Sequence, residues 1–128
     1  MRKKKWNLKK LTNFVLKQLR KLGNSMTCAE SMFVPQGSRS TQKGHIKRGV
    51  ADLIGLNRRD RKYLHEEFHA AYDIRNAFVH GDNVYQEITK YNKQNFGKFV
   101  FDINEYIRIC IRKKLDNNFD LKKARNLP

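Results

Sequence analysis

The sequence predicts an all-α protein, a four- to five-helix up-and-down bundle, and three observations carry that expectation. Apolar residues recur at three- and four-residue steps along most of the chain, which is the period of one helix face. No segment shows the strict alternation of a half-buried strand, and there is no internal repeat. At 128 residues the chain is long enough for one domain to bury the core that such helices share.

Leu8, Leu11, Val15, Leu19 and Leu22 set a first helix from about Trp6 to Leu22, with Trp6 and Phe14 beside the stripe and Gly23-Asn24 as its stop. Ser25 or Thr27 then caps a short second helix, Cys28 to Val34, which Pro35 ends. Thr27 and Glu30 stand at the capping-box spacing, so Glu30 has two readings, a helix cap or a part of a functional site. Gln36 to Gly44 offers nothing apolar to bury and reads as an exposed loop. Ile46, Val50, Leu53 and Ile54 mark a third helix that Gly55 can close.

The fourth helix is long, from about Arg59 to His80, and Leu64, Phe68, Ala71, Arg75 and Phe78 form its seam at steps of four and three. Gly81 follows where a left-handed terminal residue is expected. Asp82 to Lys93 is polar and reads as a loop. Phe96, Phe99, Val100, Ile103, Ile107, Cys110 and Ile111 then define a final helix to about Leu115. Residues 1–115 therefore form a single helical domain, and 116–128 a polar, basic tail whose main apolar residues are Phe119 and Leu121.

Lys and Arg outnumber Asp and Glu 28 to 12, a net charge of +16. That excess is the electrostatic footprint of a phosphate-rich partner and favours RNA or another nucleic acid over an acidic protein or a membrane. No apolar run approaches the roughly 20 residues of a spanning helix, and Met1-Arg2-Lys3-Lys4-Lys5 is not followed by an apolar signal core. The expected chain is soluble and cytoplasmic. Cys28 and Cys110 lack CxxC spacing and sit in apolar stretches, so both read as buried, reduced thiols.

Arg75 falls on the apolar seam, where desolvating an unpaired guanidinium would cost several kcal/mol, so it must be paired or stand beside a cleft. His65, His69, Tyr72, Asn76 and His80 make an adjoining stripe of groups able to donate, accept or stack. An arginine that grips phosphate next to a histidine that moves a proton is the minimum equipment for cutting RNA. Helix geometry places Arg75 and His80 about 140° apart around the axis, so one helix does not easily converge them. Asn76 and His80, an i,i+4 pair, are the easier contact.

Phosphate contacts are expected from Arg39, Lys43, Lys47 and Arg48, and from His65 and His69; the alternative is a solvated basic face. His65-Glu66-Glu67-Phe68-His69 also fits H-E-x-x-H. Arg75 stands where a metzincin would supply its third ligand, and the chain is short for a protease cleft, so neither a metal nor a cofactor is expected.

The segment Tyr72-Asp73-Ile74-Arg75-Asn76-Ala77-Phe78-Val79-His80-Gly81 resembles the signature of the HEPN superfamily. Ala29-Glu30-Ser31-Met32-Phe33-Val34-Pro35, Arg48-Gly49-Val50-Ala51-Asp52-Leu53-Ile54-Gly55 and Arg61 are similar in order and spacing to its Apea-like branch, and the resemblance spans roughly Cys28 to Leu115. It implies a homodimer in which two copies of the motif share a cleft, acting as a metal-independent endoribonuclease of toxin or antiviral-defence type, with an inhibitory or antitoxin protein as partner. In that scheme Arg75 holds the scissile phosphate, His80 performs acid/base catalysis and Asn76 orients one of them, while Glu30, Tyr72 and Asp73 are supporting candidates. The products would be a 2′,3′-cyclic phosphate and a 5′-hydroxyl, and DNA would resist. The alternatives are a non-catalytic RNA-binding module and an assembly domain.

Overall fold

A computed structural model of the chain describes residues 12–37 and 42–125, the last eight as backbone alone. Among the described residues there are five helices and no strand: α1 (Asn13–Phe33), α2 (Gln42–Ile54), α3 (Arg58–Val79), α4 (Val84–Lys90) and α5 (Phe96–Arg125). They form an all-α bundle in which α1 packs chiefly on α5 and α2 chiefly on α3. Among the described residues no helix is long and apolar enough to cross a membrane.

Thr12 caps α1, its hydroxyl accepting the Val15 N–H at 3.2 Å. The helix then runs unbroken for 21 residues, so the expected stop at Gly23-Asn24 and the separate helix from Cys28 are corrected. Leu19, Leu22, Met26 and Ala29 are all buried on one face, and that burial outweighs the cost of a mid-helix glycine, about 1 kcal/mol. The capping box is not used. Thr27 instead donates its hydroxyl to the Gly23 carbonyl at 2.9 Å, inside the helix. Trp6, Leu8 and Leu11, expected in this helix, lie outside the described residues.

α2 begins within the expected loop, at Gln42, and crosses close to the end of α1. A Cβ on Gly49 would stand 2.3 Å from the Phe33 ring, so only glycine permits that approach. α3 starts at an Asn57 cap and buries Leu64, Phe68, Ala71, Ile74 and Ala77. Burying one large apolar side chain such as Phe68 is worth roughly 1.5–3 kcal/mol. The helix closes in a Schellman turn, with Gly81 at φ 71°, Asp82 N–H donating to the Ala77 carbonyl at 2.8 Å and Gly81 N–H to Phe78 at 3.3 Å.

The expected polar loop contains α4, which the sequence reading missed. Asn83 caps it by accepting the Gln86 N–H at 3.0 Å, and Val84 and Ile88 bury one face. It ends in a second Schellman turn, with Asn92 at φ 57° and Lys93 N–H donating to Ile88 at 2.9 Å. α5 buries Phe96, Phe99, Val100, Ile103, Ile107 and Cys110, whereas Ile111 is 37% exposed. It continues past Leu115 to Arg125, through most of the segment expected as a tail, and the side chains of Phe119 and Leu121 are outside the description. Cys110 is buried, its thiol pushed up to about 11 by burial, the nearby Lys114 and Lys113 opposing. Cys28 is exposed, a correction that follows from its place off the buried face of α1.

Candidate functional site

α3 carries most of the chemistry, and Asp73 and Arg75, two residues apart on it, face different neighbours. Near its C-terminal end Arg75 Nη2 donates to Glu30 Oε1 on α1, an ion pair whose side chains are 15% and 30% exposed. This satisfies the requirement that a guanidinium on an apolar seam be paired. The guanidinium carbon also lies 5.5 Å from the Tyr72 ring centroid, and the Tyr72 hydroxyl donates to Gln42 Oε1 at 3.4 Å. Arg75 Nε is buried without a hydrogen-bond partner among the described residues.

His80 occupies the C-cap position of α3, its backbone N–H donating to the Asn76 carbonyl at 2.9 Å and its side chain exposed. Among the described residues no side-chain hydrogen bond joins His80 to Asn76 or to Arg75, so the expected Asn76 contact is made by backbone alone. A single chain thus places the guanidinium and the imidazole on one helix end without bringing them together.

The chain matches no protein-family model, no curated protein and no solved structure.

Earlier on α3, Asp73 gathers donors from three helices. Lys43 Nζ on α2 lies 2.7 Å from Oδ1, His69 Nε2 lies 3.4 Å from Oδ2, and the Tyr91 hydroxyl at the end of α4 donates to that same Oδ2. Lys47 Nζ stands 3.0 Å from His69 Nδ1. With an ammonium at Nδ1, the imidazole accepts there and carries its proton on Nε2, toward Asp73. Burial works to raise the Asp73 carboxyl, but hydrogen bonds from Lys43 and Tyr91, with the charges of Lys43 and His69, hold it below the usual carboxylate range.

The neighbouring bases move the other way. Burial, then the charges of Lys43 and Lys47, pull His69 below its ordinary value against the opposing Asp73, with Lys90 adding to the fall. Burial, then Lys47 and Arg48, do the same to His65 against Asp52. Lys47 is lowered by burial and by Lys43, with Asp73 opposing and Arg48 adding. The Tyr91 phenol is pushed up by burial, by its bond to Asp73 and by the charges of Asp73 and Glu87.

Lys47, His65, His69 and Tyr91 border a cleft of about 490 Å³ between α3 and the turn 91–95 that leads from α4 to α5. Lys90, Tyr91 and Lys93 come to it from α4 and that turn, and sequence reasoning did not single them out. The Asn83–Gln86 capping spacing was the signal that could have placed them. Arg48 lines a second groove with Asp52, Arg61 and Lys62, which His65 also borders. Arg39 lies outside the described residues. Among the described residues no group of three or more His, Cys, Asp or Glu is placed to hold a metal, so His65 and His69 of the H-E-x-x-H segment gain no third ligand there. Chemically, the helix end offers a fixed guanidinium and an exposed imidazole, and the cleft offers a cationic concavity with two imidazoles in its wall.

Proposed function

We propose that the chain is a HEPN-type endoribonuclease that cuts RNA without a metal ion, at a site made from two copies of the α3 C-terminal end. The observation that carries this reading is an arginine fixed on a buried seam, five residues ahead of an exposed histidine at the helix terminus. In support, the Glu30 and Tyr72 contacts preorganise the guanidinium, and its buried Nε has no acceptor among the described residues. Val79, 66% exposed beside His80, offers an apolar contact to a second copy. The net charge of +16 suits a polyanionic substrate.

In this scheme the RNA 2′-oxygen attacks the adjacent phosphorus, forming the O2′–P bond as the P–O5′ bond breaks. One His80 imidazole removes the 2′-hydroxyl proton and the imidazole of the other copy supplies one to the departing 5′-oxygen. Arg75 meets the negative charge that grows on the phosphoryl oxygens. RNA incubated with the protein in EDTA should therefore yield 2′,3′-cyclic phosphate and 5′-hydroxyl ends. His80→Ala should lower the rate about 100-fold or more. Cleavage that survives both His80→Ala and Arg75→Ala sinks the mechanism.

The Glu30–Arg75 pair favours a second reading, RNA binding without catalysis, because a carboxylate already occupies part of the guanidinium. That module would bind RNA in a salt-sensitive way and release no cyclic phosphate.

A further inference from the structure

We propose that the cleft between α3 and the 91–95 turn is a phosphate-oxyanion subsite that binds its ligand together with protons, taken up by His65 and His69. Its bearing on RNA rests on the reading above; the oxyanion chemistry does not.

Three lysines, Lys47, Lys90 and Lys93, line the cleft against two carboxylates, Glu66 and Glu67. With both imidazoles neutral the cleft carries an excess of one positive charge, and with both protonated an excess of three. The imidazoles are therefore the variable part of its charge. Lys93 is matched by Glu67 at 2.6 Å, whereas the polar partner of Lys47 is the neutral Nδ1 of His69, and Lys47 makes no ion pair among the described residues. Lys90 lies 5.2 Å over the Tyr91 ring and has no ion pair among the described residues. Two ammonium groups thus border one concavity without dedicated carboxylates, an arrangement an entering anion relieves.

The groups around each imidazole set the direction. His69 is faced by Lys43 and Lys47 from α2, by Asp73 on its own helix, and by Lys90 and Tyr91 from α4 and its end. The charge of Asp73 is already shared with Lys43 and the Tyr91 hydroxyl, so it offsets the lysine field at His69 only in part. His65 is faced by Lys47, Arg48 and Asp52 from α2, and Arg61, Lys62, Glu66 and Glu67 of α3 line the grooves it borders. An empty cleft keeps both rings neutral near pH 7. An oxyanion between Lys47 and Lys90 reverses the local field and favours the imidazolium forms; at His69 the new Nδ1–H displaces the Lys47 ammonium, which turns to the anion. By linkage, the anion must then bind more tightly as pH falls.

Sulfate, a dianion across the relevant range, separates protein protonation from ligand protonation. We expect its dissociation constant with the full chain to be about tenfold tighter near pH 5.5 than near pH 8. The NMR titration midpoints of His65 and His69 should rise in its presence. Lys90→Gln, on an exposed side chain that leaves the core untouched, should weaken binding about fivefold and reduce the midpoint shifts. His80→Ala protein, which in the proposed mechanism cuts RNA about 100-fold more slowly, should show the same two imidazoles responding to a short RNA when the oxyanion belongs to a strand; a response to sulfate and inorganic phosphate alone assigns the subsite to a free anion. Sulfate affinity that is equal at the two pH values, or midpoints that do not move, overturns the proposal. Loss of RNA cleavage with the sulfate linkage intact would count against the nuclease and not against the subsite.

Discussion

At the C-terminal end of α3 a guanidinium is tied to one carboxylate while the imidazole of His80 is exposed; earlier on the same helix, one carboxylate at Asp73 gathers three donors and the imidazole of His69 sits between a lysine and that carboxylate. Both regions use Arg or Lys, Asp or Glu, and His. They differ in how much bonding capacity is already spent inside the chain. A histidine without side-chain bonds can trade protons with whatever arrives, whereas one enclosed by polar neighbours has a fixed orientation and changes charge only when its surroundings change.

The sharpest way to break this contrast is to remove the partner of Arg75. Glu30→Ala strands a mostly buried guanidinium and should destabilise the fold by about 2 kcal/mol, between the values for exposed and fully buried pairs. The Glu30→Ala/Arg75→Ala double variant should lose less than the sum of the single ones, as read by urea unfolding. A Glu30→Ala protein as stable as the parent would show that the pair is solvent-screened and that the two regions are alike.

Gly81→Ala comes next. It places a side chain at φ 71°, and the left-handed conformation should cost about 1 kcal/mol in thermal or urea unfolding. Because that turn presents His80, RNA cleavage should fall while sulfate binding at the cleft is kept. Equal losses at both would mean that the two regions act as one.

The smallest effect is a pH dependence of stability. His65 and His69 titrate in the fold below their ordinary value of 6.5, so the unfolded chain takes up protons first as pH falls. Stability is full above 6.5 and declines as pH drops through the folded values, with a shallow slope because the rings are partly solvated. Asp73, held below 3.8, contributes stability above that value and loses it as pH falls further. The His65→Gln/His69→Gln protein should flatten the first decline and leave the second, in urea midpoints measured across the range.

Much of the fold was legible because burial follows periodicity: Leu64, Phe68 and Ala71 announce α3, and Phe99, Val100, Ile103 and Ile107 announce α5. Gly23 misled because a glycine signals a stop only when nothing beyond it is packed, and Met26 and Ala29 are packed. α4 was hidden by its length, seven residues with two buried anchors. At the site, the requirement for a partner of Arg75 followed from its place on the seam, and Glu30 was one of the groups in view. The Lys47 to His69 contact was not legible, since it joins residues 22 apart on two helices whose crossing no local pattern fixes. Tyr91 and Lys93 were missed with α4, because a left-handed Asn92 aims them.

The two cysteines give the molecule a built-in reporter. Cys110 is sealed in the core with its thiol pushed up to about 11, so it is sluggish toward electrophiles near neutral pH, whereas Cys28 is exposed on α1, two positions before the carboxylate that pairs with Arg75. A fluorophore or spin label can therefore be attached at one address without mutagenesis, on the helix that supplies the carboxylate to Arg75. If two copies meet at the α3 ends, labels on the pair of Cys28 residues supply a distance ruler across the assembly in solution.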